Sequence, residues 1–167
     1  MKRMDVETEI RTTLARLRMP QPDYVLPSQP VEERDTHVEG QGPIFDWVVT
    51  HDETEVERRQ VDGHEIVFLV MEAITAAVVR AQEEATRSYR KPGLLARLRG
   101  KTAMGGGFDD YSRQTWMDAH IRLMGSVHAG WGTRLSLHYE YQLRKYPLTP
   151  AERSQTRRLD LSVYGVD

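Results

Sequence analysis

The chain has 167 residues, 39% of them hydrophobic and 29% charged, with no cysteine and a formal net charge of −2. That length suits one compact domain, and the composition is too apolar for a disordered chain and too polar for a membrane protein. The lack of cysteine excludes a disulfide framework, a thiolate nucleophile and every cysteine-based zinc site.

In chain order, Val6, Ile10, Leu14 and Leu17 fall on one stripe of a 3.6-residue repeat and predict a first amphipathic helix, closed by Pro20. From Pro20 to Gly42 the recurrent Pro and Gly predict an extended, irregular connection. The runs 44–49 and 56–61, on either side of the polar stretch Thr50 to Glu55, predict a hairpin. Within it Phe45, Trp47 and Val49 share the face expected to be buried. His64 to Arg87 is apolar almost all round, which predicts a covered central helix, although its opening Glu65 to Val70 also suits a strand. Residues 89–107 read as a flexible loop around a short helix, Leu94 to Leu98, ending on Gly105, Gly106 and Gly107.

Two further helices follow. The first is striped by Met117, Ile121, Met124 and His128, with Trp116, Leu123 and Val127 widening the stripe, and can be capped by Asp109 or Asp110. The second is striped by Trp131, Leu135, Tyr139 and Gln142, with Gly130 and Gly132 flanking the turn and Pro147 ending the helix. Thr149 to Glu152 fits the opening of a short last helix, and the alternation of Leu159, Leu161 and Val163 fits a final strand. The expected fold is a single α+β domain over residues 1–167, a small antiparallel sheet with a hairpin packed against four to five helices.

The net charge conceals an asymmetry. Residues 1–65 hold 8 Lys/Arg against 15 Asp/Glu, and residues 66–167 hold 15 against 10. Acid is densest from Asp23 to Glu65, with 12 acidic and 3 basic side chains, whereas Arg87 to Lys101 carries six basic residues and no acidic one. A charged partner or mutual neutralisation within the fold would each account for this pattern. The charged start MKRMDVETEI lacks the apolar stretch of a secretory signal, and Ile66 to Ala81 is too short and too interrupted to span a bilayer, so a cytoplasmic protein without a membrane partner is expected.

No motif for phosphate cradling, zinc ligation on a helix or a nucleophile elbow is present in the sequence, and no cofactor or metal is expected. His51 beside Asp52, brought to Asp110 by folding, is the arrangement on which a hydrolase-type enzyme would rest, while the same residues are ordinary turn formers. The segment 87–101 is the candidate for a nucleic-acid-binding module, against which the negative total charge counts. The acidic candidates for a protein interface are Asp52, Glu53 and Glu55 at the hairpin tip, with Glu32, Glu33 and Asp35 as a second patch. One of Arg58 and Arg59, which alternate across the strand, is expected to pair with a carboxylate inside the fold.

Val56-Glu57-Arg58-Arg59 leads directly into the apolar helix, and Trp47, Arg113, Met117, His120, Ile121, Leu123, Met124, Gly125, Trp131, Arg134 and Pro147 follow with a characteristic spacing. Over about residues 44–147 this pattern resembles the immunity protein 63 family of bacterial polymorphic toxin systems. The resemblance implies a non-enzymatic inhibitor that binds a cognate toxin and blocks its active site or substrate surface. It also marks Trp47, Glu57, Arg58, Arg59, Arg113, Trp131 and Pro147 as the family-like core positions. If the toxin acts on nucleic acid, its cleft is basic and the acidic region would face it.

Overall fold

The computed structural model describes residues 1–19, 24–29, 34–52, 54–87 and 111–166, which form an α+β architecture of five α-helices, one short 3-10 helix and a three-stranded antiparallel sheet. The chain divides into two compact units, Met1–Ile74 with Ser162–Asp167, and Thr75–Leu161.

In the first unit the amphipathic repeat forms α1 (Arg3–Arg16), burying Val6, Ile10 and Leu14. It ends before Pro20, at the C-cap Leu17, and Arg18 turns into the left-handed region at φ 53. The start of α1 is fastened to the sheet side of the unit. Arg3 donates to the Val38 carbonyl (2.7 Å) and the Leu26 carbonyl (2.5 Å), and Glu7 accepts from the Leu26 amide (3.2 Å). Gly42, at φ 97, must be glycine, because a Cβ there would lie 2.2 Å from the Met1 carbonyl oxygen.

The sheet is ordered β1 (Arg34–Glu39), β2 (Ile44–His51), β3 (Thr54–Asp62). The strand β1 corrects the expectation of an irregular connection from Pro20 to Gly42. Its sequence contains a single aliphatic residue, Val38, so periodicity alone could not reveal it; the pairing His37↔Val48 and Val38↔Trp47 makes it a strand. The hairpin is longer than predicted, with β2 reaching His51, β3 starting at Thr54 and Asp52 turning at φ 49. Register passes from Val49↔Glu57 to Thr50↔Glu55, which leaves Val56 as the extra residue of a bulge. Phe45 is buried as expected, while Trp47 and Val49 are half-buried; Val48 and Thr50, on the opposite face, are buried too.

After β3, the Asp62 carboxylate accepts from the Glu65 amide (2.8 Å) and starts α2 (Gly63–Ala85). The run from Glu65 to Val70 is thereby helical, with Ile66, Val67, Phe68 and Val70 buried. The unit boundary falls within α2, after Ile74.

The second unit contains α3 (Arg113–Val127), α4 (Ala129–Lys145) and α5 (Pro150–Gln155). Ser112, rather than Asp109 or Asp110, occupies the N-cap position of α3; the two aspartates lie outside the described residues. The buried side of α3 runs through Trp116, Met117, Leu123 and Met124 of the widened stripe, with His120 added, while Ile121 and Val127 are half-buried and His128 is exposed. Gly130 and Gly132 belong to α4 and not to a turn, since His128 alone separates the two helices. Tyr146 caps α4 ahead of Pro147, and α5 opens on a full capping box, with Thr149 Oγ1 accepting from the Glu152 amide (3.2 Å) and the Glu152 carboxylate from the Thr149 amide (2.9 Å).

The predicted final strand is not one. Leu159 and Leu161 are buried, but the chain forms a 3-10 helix at Ser162–Tyr164 instead of joining the sheet. The predicted short helix at Leu94 to Leu98 and the triple glycine lie outside the described residues. Among the described residues no helix is long and apolar enough to cross a membrane.

Candidate functional site

Strand alternation places Ile44, Asp46, Val48 and Thr50 on one face of β2. The register sets Glu39 and Gln60 on either side of Asp46, and His37 and Arg58 on either side of Val48. The result is a polar sheet face centred on one guanidinium. Arg58 Nη1 donates to Glu39 Oε2 and to Asp46 Oδ2, both at 2.9 Å, its Nε donates to the two oxygens of Glu55 (3.0 and 3.1 Å), and its Nη2 to Glu55 Oε2 (2.8 Å).

Three carboxylates thus share one positive charge. Their mutual repulsion is offset by Arg58, whose hydrogen bonds hold the carboxyls of Glu55 and Glu39 below the usual range; the same bonds, from Glu55 first and then Glu39, raise the Arg58 pKa. The four side chains are between 33% and 45% exposed, so the group is fixed in position and still open to a partner. At its margin His37 is buried, with Nε2 donating to Glu39 Oε1 at 3.3 Å and, among the described residues, no hydrogen-bond partner on Nδ1. The remainder of β3 is accessible as well, every residue from Glu55 to Gln60 being exposed.

The sequence-predicted positions divide between this face and its surroundings. Glu55 and Arg58 are in the cluster, and Arg58 is the arginine that pairs with carboxylates, on a partly exposed sheet face rather than inside the fold; among the described residues the one ion pair of Arg59 is a 3.5 Å contact with Glu57. Asp52 stands at the turn, 3.0 Å from His51, both well exposed. Glu32, Glu33 and Glu53 lie outside the described residues, as does the side chain of Asp35, whose backbone pairs with Thr50 in β1. Trp47 is half-buried beside an apolar recess of the first unit, lined also by Val38 and Val70.

Arg113, Trp131 and Pro147 serve the second unit. Arg113 Nε donates to Glu152 Oε1 at 2.6 Å, and its terminal nitrogens donate to the carbonyls of Tyr146 (3.1 Å) and Pro147 (2.9 Å). This pairing pulls the Glu152 carboxyl down from 4.5 to about 2. Trp131 is half-buried against His128, ring centres 5.7 Å apart. The hydrolase-type arrangement has His51 and Asp52 in contact, with Asp110 outside the described residues. Of the basic segment 87–101 only Arg87 is described, and it is bonded to Glu83 at 2.6 Å and lies over the Tyr111 ring. No group of three metal-ligating side chains gathers among the described residues.

Sequence reasoning missed Glu39 and Asp46. Asp46 was within reach, since the hairpin register alone sets it across from Gln60 and diagonal to Arg58; Glu39 required β1, which left no periodic signal. No protein-family model matches the chain, and neither a curated protein nor a solved structure matches it significantly.

Proposed function

We propose that this protein acts by binding a basic surface on a protein partner, and that the partner is a cognate toxin whose active cleft it covers. The observation that carries the reading is the hairpin face on which Glu39, Asp46 and Glu55 are held by Arg58. A charged side chain on a free surface loses rotamer entropy when a partner fixes it; these are already fixed, so that cost is largely met before binding. Three carboxylates against one guanidinium leave an excess of negative charge in the cluster, which would attract a basic cleft and orient it. The neutralising role itself rests on the resemblance of the 44–147 pattern to the immunity family.

Co-expression with the protein encoded beside it tests both parts. The neighbour should arrest growth alone, lose that effect in the presence of this protein and co-purify with it. Asp46→Lys with Glu39→Lys should weaken the complex by at least about tenfold, the size expected when charge-assisted contacts are replaced by repulsion. A harmless neighbour, or toxicity that this protein leaves unchanged, refutes the immunity role. A complex that tolerates both substitutions refutes the hairpin face as its surface.

A further inference from the structure

The second unit contains a cleft of about 350 Å³ lined by Thr115, Asp118, Arg122, Thr156, Arg157 and Arg158. Its floor is α3, where spacings of three and four residues put Thr115, Asp118 and Arg122 on one face. Its wall is the segment that follows α5, clamped to α3 at two points. Thr115 Oγ1 accepts from the Arg157 amide (3.1 Å), and Arg122 donates to the Leu159 carbonyl (2.7 Å). Arg158 sits between the two clamps.

The charges of this cleft do not balance. Arg157 is committed to the buried Glu83, whose Oε1 accepts from its Nη2 at 3.3 Å and whose other oxygen is taken by Arg87. Arg122 and Arg158 remain, with Asp118 as the single carboxylate of the lining among the described residues. Asp118 takes a 2.6 Å hydrogen bond from Gln114, and among the described residues Arg158 has no ion pair or side-chain hydrogen bond. Burial first, and then the neighbouring Arg158 charge, push the Arg122 guanidinium down, while burial pushes the Asp118 carboxyl up. Among the described residues the cleft therefore carries more positive than negative charge at the place where the two arginines meet.

We propose that this cleft is a binding site for a small phosphomonoester, with the phosphate on Arg122 and Arg158 and a hydroxyl of the organic part donated to Asp118. Planar guanidinium groups match phosphate oxygens in pairs, which favours a phosphoryl dianion over a single carboxylate. The volume is in the range of small-ligand sites and is enough for a phosphate with an organic part the size of a nucleoside. The site belongs to the second unit and is independent of the acidic hairpin face, so either can fail without the other.

Titration calorimetry of the full chain with inorganic phosphate, adenosine monophosphate and adenosine tests this. Phosphate and the monophosphate should bind saturably and competitively, the monophosphate more tightly, and adenosine should not bind. Arg158→Gln alters an exposed side chain and should leave the fold intact while weakening both ligands by about tenfold or more, as loss of a charge-assisted hydrogen bond does. Asp118→Asn should preserve phosphate binding and remove the advantage of the monophosphate. Absence of saturable binding at millimolar ligand, or binding indifferent to Arg158→Gln, would overturn the proposal. Preference for an oligonucleotide with no binding of the free monoester would also overturn it, in favour of a nucleic-acid surface.

Discussion

Thr75, His120 and Tyr139 form a buried polar chain in the second unit. Thr75 Oγ1 lies 2.8 Å from His120 Nε2, and the Tyr139 hydroxyl lies 2.6 Å from His120 Nδ1. A neutral imidazole donates from one nitrogen and accepts at the other, and hydroxyls can serve either need, so the ring is satisfied at both ends without contact with water. Tyr139→Phe would keep the ring and its edge contact with Trp116, at 5.5 Å, and leave His120 Nδ1 without that partner. We expect a loss of roughly 1–3 kcal/mol in urea unfolding. A change near zero would show that the histidine finds another partner at no cost. Glu152 gives a second residue-level expectation, with a definite sign. Its carboxyl titrates near 4.5 when free and at about 2 when paired with Arg113, so its contribution is complete above the free value and is lost as pH falls from about 4.5 towards about 2. Glu152→Gln retains the ability to close the capping box and removes the charge, which isolates the pairing with Arg113. Unfolding free energy measured against pH should then lose part of its acid slope in that window, with neutral-pH stability lower by roughly 2 kcal/mol. An unchanged acid limb would mean that other carboxylates set it.

Two glycines stand where α3 and α4 cross, alike in sequence and different in space. A Cβ on Gly132 would come within 2.8 Å of the Gly125 Cα and 3.2 Å of the Ile121 carbonyl oxygen, both backbone atoms that cannot rotate away. A Cβ on Gly125 would be 3.7 Å from the Gly132 Cα, an ordinary contact. Gly125→Ala should therefore gain from helix propensity, up to about 1 kcal/mol. Gly132→Ala should cost roughly 1–3 kcal/mol despite the same propensity, because the helices must separate. Equal effects of the two in thermal unfolding would contradict this geometry. The pair also illustrates what the sequence could disclose. Elements whose apolar spacing is sustained, such as α1, α2 and the β2–β3 hairpin, were legible because periodicity is a local property. Gly132 reads as a turn residue because glycine marks turns locally, and only a neighbouring helix reveals that it permits close approach. For the same reason β1 was hidden and the Leu159 to Val163 alternation misled: a strand needs a partner, and no residue of its own sequence states whether one is there.

For the molecule as a whole, the uneven charge along the chain resolves into two organised surfaces. The acidic stretch is gathered in part onto one sheet face and held by Arg58, while arginines of the later half, Arg122 and Arg158, line a cleft of their own. Which carboxylates gather at Arg58 depends on strand register, so of the acidic residues singled out from sequence Glu55 joins the cluster, beside Glu39 and Asp46, which sequence alone does not single out. The organised acidic face makes a kinetic expectation for the proposed complex. If it steers a basic partner, the association rate should fall steeply with added salt, because the Debye length shortens from about 10 Å at 0.1 M to about 3 Å at 1 M, whereas dissociation should change little. Asp52→Lys, at a 71% exposed side chain outside the Arg58 cluster, should slow association and leave dissociation nearly unchanged; Asp46→Lys, inside the cluster, should speed dissociation as well. Stopped-flow measurement of both rates across a salt series separates the two effects. Association insensitive to salt, with Asp46→Lys acting no differently from Asp52→Lys, would mean that the carboxylates held by Arg58 serve the stability of the hairpin and not its recognition.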